Sequence, residues 1–402
     1  MALAILTAPS NLSSVSNEML FVLEESIKTA DPVTYPNYHF ILDVYVNSTL
    51  VGRMRVPPDP ENSYGVFDVS TILRDYVPEY RLKANYSSPT ETYEIHVGYR
   101  IKAGEEYDGT IYTNIVVDSS DRTGFKSYAK RPFLTSDLIS PVAGDTGILS
   151  NIPKDNARSK RLTAYKSSLW QIIPFFDNVT GTSVVYEFLN NLNAAVSNGV
   201  DVTFNFDILP ANTVLQKNFG FVKLMALHSF NQAAQDTIEC LHIITEYGND
   251  IYLDYKCSKH PITTLAWLNP FGAYESYSFG LVSKKSNQVT KKEFSQLPYR
   301  IAAEGIISYE ANGTMYGSKS GFAAHTKTTM SLTSHLLNDA EYTWLADLFS
   351  SPDVYRYDDD LELFVPCSIS DTNYDYKTFR NSKLTPLQFT IQFADEYNSQ
   401  YL

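Results

Sequence analysis

The sequence predicts a mainly β, multi-domain protein of β-sandwich-like modules. A short helix belongs to the N-terminal module, and one longer helix packs on a C-terminal β region. Three observations predict this. Val200, Val202, Phe204, Phe206 and Ile208 alternate with Asp201, Thr203, Asn205 and Asp207. Successive side chains of a strand point to opposite faces, so the alternation marks a half-buried sheet. Tyr93, Ile95, Val97, Tyr99 and Ile101 repeat the pattern, as do Leu387, Phe389, Ile391 and Phe393. The 29 Tyr and 22 Phe supply side chains that fit pleated surfaces. The 402 residues exceed one ordinary core, and domains of roughly 100–200 residues each are expected.

Residues 1–125 read as an N-terminal β-sandwich. Tyr38, Phe40, Leu42, Val44 and Val46 form one stripe, Asn47-Ser48 supplies a turn, and Leu50, Met54 and Val56 return. Pro57, Pro58 and Pro60 end that hairpin, because proline cannot donate to a ladder. After a strand at Gly65, Asp68 or Ser70 is placed to cap a brief helix that stops before Pro78. Strands follow near Tyr93–Ile101 and Ile111–Val117. Residues 126–160 carry Pro132, Pro141, Pro153, Gly144 and Gly147 with little periodicity, and read as a linker or extended excursion.

Residues 161–265 read as a second β domain. Its strands are expected at Leu169–Phe175, Ser183–Phe188, Val200–Ile208, Ile238–Tyr247 and Ile251–Cys257, with turns at Asn178–Gly181 and Gly248–Asp250. Residues 266–402 read as a C-terminal β domain with a covering helix at about 338–350. Asn338 caps it, Glu341 sits three residues on, and Ala340, Trp344, Leu345 and Leu348 give the apolar stripe. Asn312-Gly313 is the strongest hairpin signal in the chain, between Ile306–Ala311 and Met315. Strands are expected at Val354–Tyr357, Leu361–Ile369 and Leu384–Phe393.

The net charge of −13 disfavours tight nucleic-acid binding, which needs Lys and Arg against phosphate. The basic cluster of note, Lys154–Arg161, is short and contains Asp155. No basic leader and no apolar run of about 20 residues stands in the sequence, so neither membrane insertion nor export is expected. Three Cys do not make a disulfide framework.

Few residues suggest chemistry. A hairpin around 248–249 would set Cys240 opposite Cys257, with His242 and His260 near enough to complete a zinc set. Cys240-x-His242 lies on an extended strand rather than a knuckle, so apolar packing of the two Cys is the stronger reading. Gly313–Gly321 fails the phosphate-loop spacing, since three residues rather than four separate Gly313 from Gly317 and Ser318 precedes Lys319. It fails the nucleophile elbow too, because Lys319 stands at its centre. Asp358-Asp359-Asp360 with Glu362 lacks the calcium-loop spacing and reads as a solvated turn. No catalytic, cofactor-binding or metal residue is assigned, no cofactor is expected, and the chain is not expected to be an enzyme.

Three stretches carry a resemblance. They are Gly65–Leu73, Trp267–Phe279, and Trp344–Tyr355 with its continuation at Val365–Lys377. Together they resemble the β-rich virion proteins of tailed bacteriophages infecting Bacteroidota, including the crAss-like phages. That resemblance implies a structural protein of the virion tail or collar, assembled in the host cytoplasm, with no enzyme activity. It implies a symmetric ring or tube segment around the DNA conduit, made with copies of itself and with other tail, portal or collar proteins. The alternative is a receptor- or glycan-binding tail protein, which exposed Tyr and Trp would serve. A β-sandwich polysaccharide hydrolase ranks below both.

Overall fold

The computed structural model describes residues 3–78, 96–117, 121–125, 146–148, 159–177, 183–207, 213–244, 250–370 and 385–394, apart from 11, 26, 32 and 302, together with 82, 90–93, 127, 150, 152 and 397–398. Strands hold 53% of the residues and helices 12%, so the protein is mainly β.

In the N-terminal region, His39–Val46 pairs antiparallel with Thr49–Val56 and with His96–Tyr107. Asn47 and Ser48 both have left-handed φ, 49° and 65°, as a tight two-residue hairpin turn requires. Tyr38, Phe40, Leu42, Val44 and Val46 are all buried. A second sheet of Ala4–Thr7, Leu20–Glu24 and Gly65–Asp68 covers them, and its Phe21, Leu23 and Phe67 share their cluster. The short helix Ser70–Leu73 starts from Val69, not from Asp68 or Ser70 as cap. Asp68 Oδ1 instead accepts the Ser70 N–H at 3.0 Å and the Met19 N–H at 2.9 Å, tying the helix start to a neighbouring turn.

The middle region holds a five-stranded sheet in the order Ser159–Tyr165, Asp250–Lys256, Cys240–Ile244, Ser183–Leu189, Thr203–Asp207. The strand expected from Val200 starts only at Thr203. Asn198 Oδ1 accepts the N–H groups of Val200 and Asp201 at 2.9 and 2.8 Å, holding a turn that leaves Val200 and Val202 exposed. Ile208 and the turns at 178–181 and 248–249 lie outside the described residues. A four-stranded sheet runs Thr146–Ile148, Ile172–Asp177, Thr213–Asn218, Thr90–Tyr93. Strands from the expected linker and from the expected N-terminal segment thus join it; most of 126–160 lies outside the described residues. Two short helices, Phe221–Leu227 and Gln232–Thr237, stand where the sequence pattern predicts no element. The first buries Phe221, Leu224 and Met225.

The C-terminal sheet runs Tyr274–Phe279, Thr263–Leu268, Val354–Asp358, Leu363–Ile369, Thr385–Phe393, Lys319–Leu337, Lys284–Ser295, with Tyr397–Asn398 also beside Lys319–Leu337. Thr263–Leu268 straddles the expected boundary between 265 and 266. One hydrophobic cluster reaches from Ile152 to Ile391 across both regions. The helix Asp339–Ser350 carries the capping box: Asn338 Oδ1 accepts the Glu341 N–H at 2.8 Å, and Glu341 Oε2 accepts the Asn338 N–H at 3.0 Å. Trp344, Leu345 and Leu348 are buried with Ala346, whereas Ala340 is exposed. Among the described residues no helix is long and apolar enough to cross a membrane.

Candidate assembly interface

The two edges of the C-terminal sheet differ in kind. Tyr274–Phe279 is buried along its whole length. Gln171 Nε2 donates to the Ser276 carbonyl at 2.8 Å, and Ser276 Oγ accepts the Ile172 N–H at 2.7 Å, so this edge is covered from within the chain. Lys284–Ser295, at the other edge, is exposed at every position. Among the described residues no strand pairs with its outer side. An open edge of this length presents a row of N–H and C=O groups to any incoming strand.

Lys284–Ser295 pairs with the Lys319–Ser331 part of its partner strand to form an arm. At about 3.3 Å per residue the arm is roughly 40 Å long. Thr385–Phe393 supports only Thr329–Leu337, and Tyr397–Asn398 supports only His325 and Thr326. From there to Lys319 the arm is a two-stranded ribbon among the described residues. Such a ribbon is marginal in water without a further partner. The region between its strands holds two small pairings, Arg300–Ile301 with Ile307–Ser308, and Glu310–Ala311 with Thr314–Met315. Asn312 and Gly313 turn the second with φ of 54° and 81°.

Apolar side chains are exposed along the arm and, above all, along the segment 296–318 that joins its strands. Leu297, Ile301, Ile306, Tyr309, Met315 and Phe322 are each more than half exposed. Phe294 packs on Phe322 at 6.2 Å between ring centroids, and Tyr299 on Tyr309 at 6.1 Å. Exposed apolar side chains beside lysines make this a candidate contact surface. Residues 284–330 hold seven Lys and Arg against three Glu, a net +4 inside a chain of −13. The arm is therefore a basic stretch in an acidic chain; the expected cluster at 154–161 falls mostly outside the described residues. Lysines along an edge also deter indiscriminate pairing.

The Gly313–Gly321 stretch belongs to this arm. Lys319 pairs with Ser295 in the ladder, and a strand follows it, not a phosphate-binding helix. Sequence reading missed the arm because Lys284–Ser295 shows no alternation. The signal that could have found it is the local excess of lysine.

The other candidate residues are dispersed. Cys240 stands opposite Asp254, not Cys257, and is buried while Cys257 is exposed. Burial pushes the Cys240 thiol up to about 12. His242 lies between Glu187, at 3.0 Å from Nδ1, and Asp250, at 3.3 Å from Nε2, and stacks on Tyr252 at 4.3 Å. His260 lies apart, on the wall of a cleft of about 280 Å³ with Lys259, Tyr357 and Asp359. In that cleft Ser258 Oγ donates to the backbone oxygens of His260 and Gly280, at 2.6 and 2.9 Å, which commits it to holding the loop. Among the described residues no three His, Cys, Asp or Glu converge on a metal position. In the acidic turn, Asp358 Oδ1 accepts the N–H groups of Asp360 and Leu361 at 3.1 and 3.2 Å, and Asp358 Oδ2 pairs with Arg356. Burial, and then the neighbouring Asp358, raise the Asp359 carboxyl.

No family model matches the chain, and no curated protein matches it.

Proposed function

We propose that this chain is a structural subunit of a tailed-phage virion, in the tail or collar, that assembles as a symmetric ring or tube segment around the DNA conduit. The observation that carries the assembly part is the arm: a long, fully exposed edge strand on a two-stranded ribbon with half-exposed apolar side chains. A contact between two different surfaces of the same chain closes into a ring when its rotation repeats around an axis. The net charge of −13 suits a conduit wall from which DNA phosphate slides free. The virion setting rests on the resemblance of Gly65–Leu73, Trp267–Phe279 and Trp344–Tyr355 to phage virion proteins.

Sedimentation velocity and negative-stain microscopy of the purified chain test the assembly part. The expected result is a defined oligomer that appears as closed rings. A chain that stays monomeric up to about 100 μM, well above the micromolar range of ordinary specific contacts, overturns it. A reproducible glycan-array hit by such a monomer would move the reading to a receptor-binding protein.

A further inference from the structure

The arm needs an acceptor, and the fold contains a second open edge of opposite character. Thr203–Asp207 ends the middle five-stranded sheet and has a neighbour on one side only among the described residues. Residues 190–207 hold Asp201 and Asp207 and no Lys or Arg, a net −2, while Glu187 on the adjoining strand faces His242. Lys284–Ser295 holds four Lys and one Glu, a net +3. The turns that lead into this strand carry apolar side chains in solvent: Leu192 is 81% exposed and Val200 87%. Two edges that are open and opposite in charge are suited to each other.

Four of the other sheet edges fit the arm less well. Thr49–Val56 carries Arg53 and Arg55, paired with Asp43 and Glu106, and Ser159–Tyr165 carries Lys160 and Arg161, the latter paired with Asp254, so neither offers the lysines an acid of its own. Tyr274–Phe279 is covered. Gly65–Asp68 offers one acid, and Asp68 Oδ1 is already engaged by two backbone N–H groups.

We infer that the open edge of the arm, Lys284–Ser295, docks on the acidic edge around Thr203–Asp207 of a second copy of this chain. The inference rests on the assembly reading above and names its partner surface. The contact joins two different patches, so each copy gives an arm and receives one. That is the head-to-tail arrangement from which rings and tubes are built. Lys291 and Lys292 oppose Asp201, and Leu192 and Val200 lie against the apolar side chains of the arm.

A charge swap tests this. Lys291→Glu with Lys292→Glu, and separately Asp201→Lys, should each raise the concentration for half-assembly roughly tenfold or more. Combining the three substitutions should restore assembly toward the wild-type value. Circular dichroism checks that each variant is folded, and Asp201→Asn should fall between wild type and Asp201→Lys. If Asp201→Lys assembles like wild type and the combination rescues nothing, the acceptor lies elsewhere and the inference fails while the assembly reading stands. If the lysine variants keep the wild-type mass but lose retardation of duplex DNA, the arm is a nucleic-acid contact and the inference also fails. A wild-type chain that is monomeric throughout overturns the assembly reading itself, and the inference with it.

Discussion

Glu275 gives the shared core a pH dependence that can be worked out. It sits on Tyr274–Phe279 opposite Trp267 and is 1% exposed. Burial raises its carboxyl from 4.5 to about 7, and the Ser150 hydroxyl, which donates to Oε2, opposes that rise without cancelling it. The folded pKa lies above the unfolded one, so the folded state holds the proton more tightly. Stability is therefore full below about pH 4.5 and falls as pH rises through about 7. A tenfold difference in proton affinity between the two states is worth about 1.4 kcal/mol, so the loss between pH 5 and pH 8 is roughly 2–3 kcal/mol. Glu275→Gln keeps an acceptor for Ser150 and removes the titration. All three tryptophans of the chain, Trp170, Trp267 and Trp344, are buried in this part of the protein. Urea unfolding followed by their fluorescence therefore reports on it selectively. The stability gap in favour of Glu275→Gln should widen by roughly 2–3 kcal/mol from pH 5 to pH 8. An unchanged gap would refute the burial on which the reasoning depends.

Two further substitutions probe local structure with the same fluorescence readout. Asn338→Ala removes one half of the capping box and should cost about 1 kcal/mol, whereas Ala340→Ser on the exposed side of the same turn should cost a few tenths. Gly220→Ala would place a Cβ 2.2 Å from the Leu169 carbonyl oxygen, a backbone atom, and should cost about 1–3 kcal/mol; a neutral result would mean that the backbone there shifts freely.

The parts of the fold that could be read from the sequence are those whose apolar residues line up on one face or whose ends carry a cap. Tyr38 to Val46 shows its stripe because Tyr38, Phe40, Leu42, Val44 and Val46 face one cluster, although Ile41 and Asp43 on the other face are buried too, and the helix after Asn338 announces itself by its cap. Strands with both faces alike gave no such signal. Thr263–Leu268 and Tyr274–Phe279 are buried at every position, so polar Thr and Ser sit beside Leu and Trp without alternation. Lys284–Ser295 is wet on both faces and shows mainly lysine and small polar residues. The misplaced pairing of Cys240 has a related cause. Leu241 meets Leu253 and Ile243 meets Ile251, which fixes the register by the core and moves Cys257 three positions past its expected partner. The joining of Thr90–Tyr93 to Thr213–Asn218 spans more than a hundred residues, and a pairing that distant leaves no local pattern in a single sequence.

In the proposed assembly the arm is the element that joins copies, and an electron-microscopy reconstruction of the assembled wild-type chain tests that most directly. It should show the outer side of Lys284–Ser295 covered by protein from an adjacent copy. An assembled particle whose arms all project freely into solvent would contradict it.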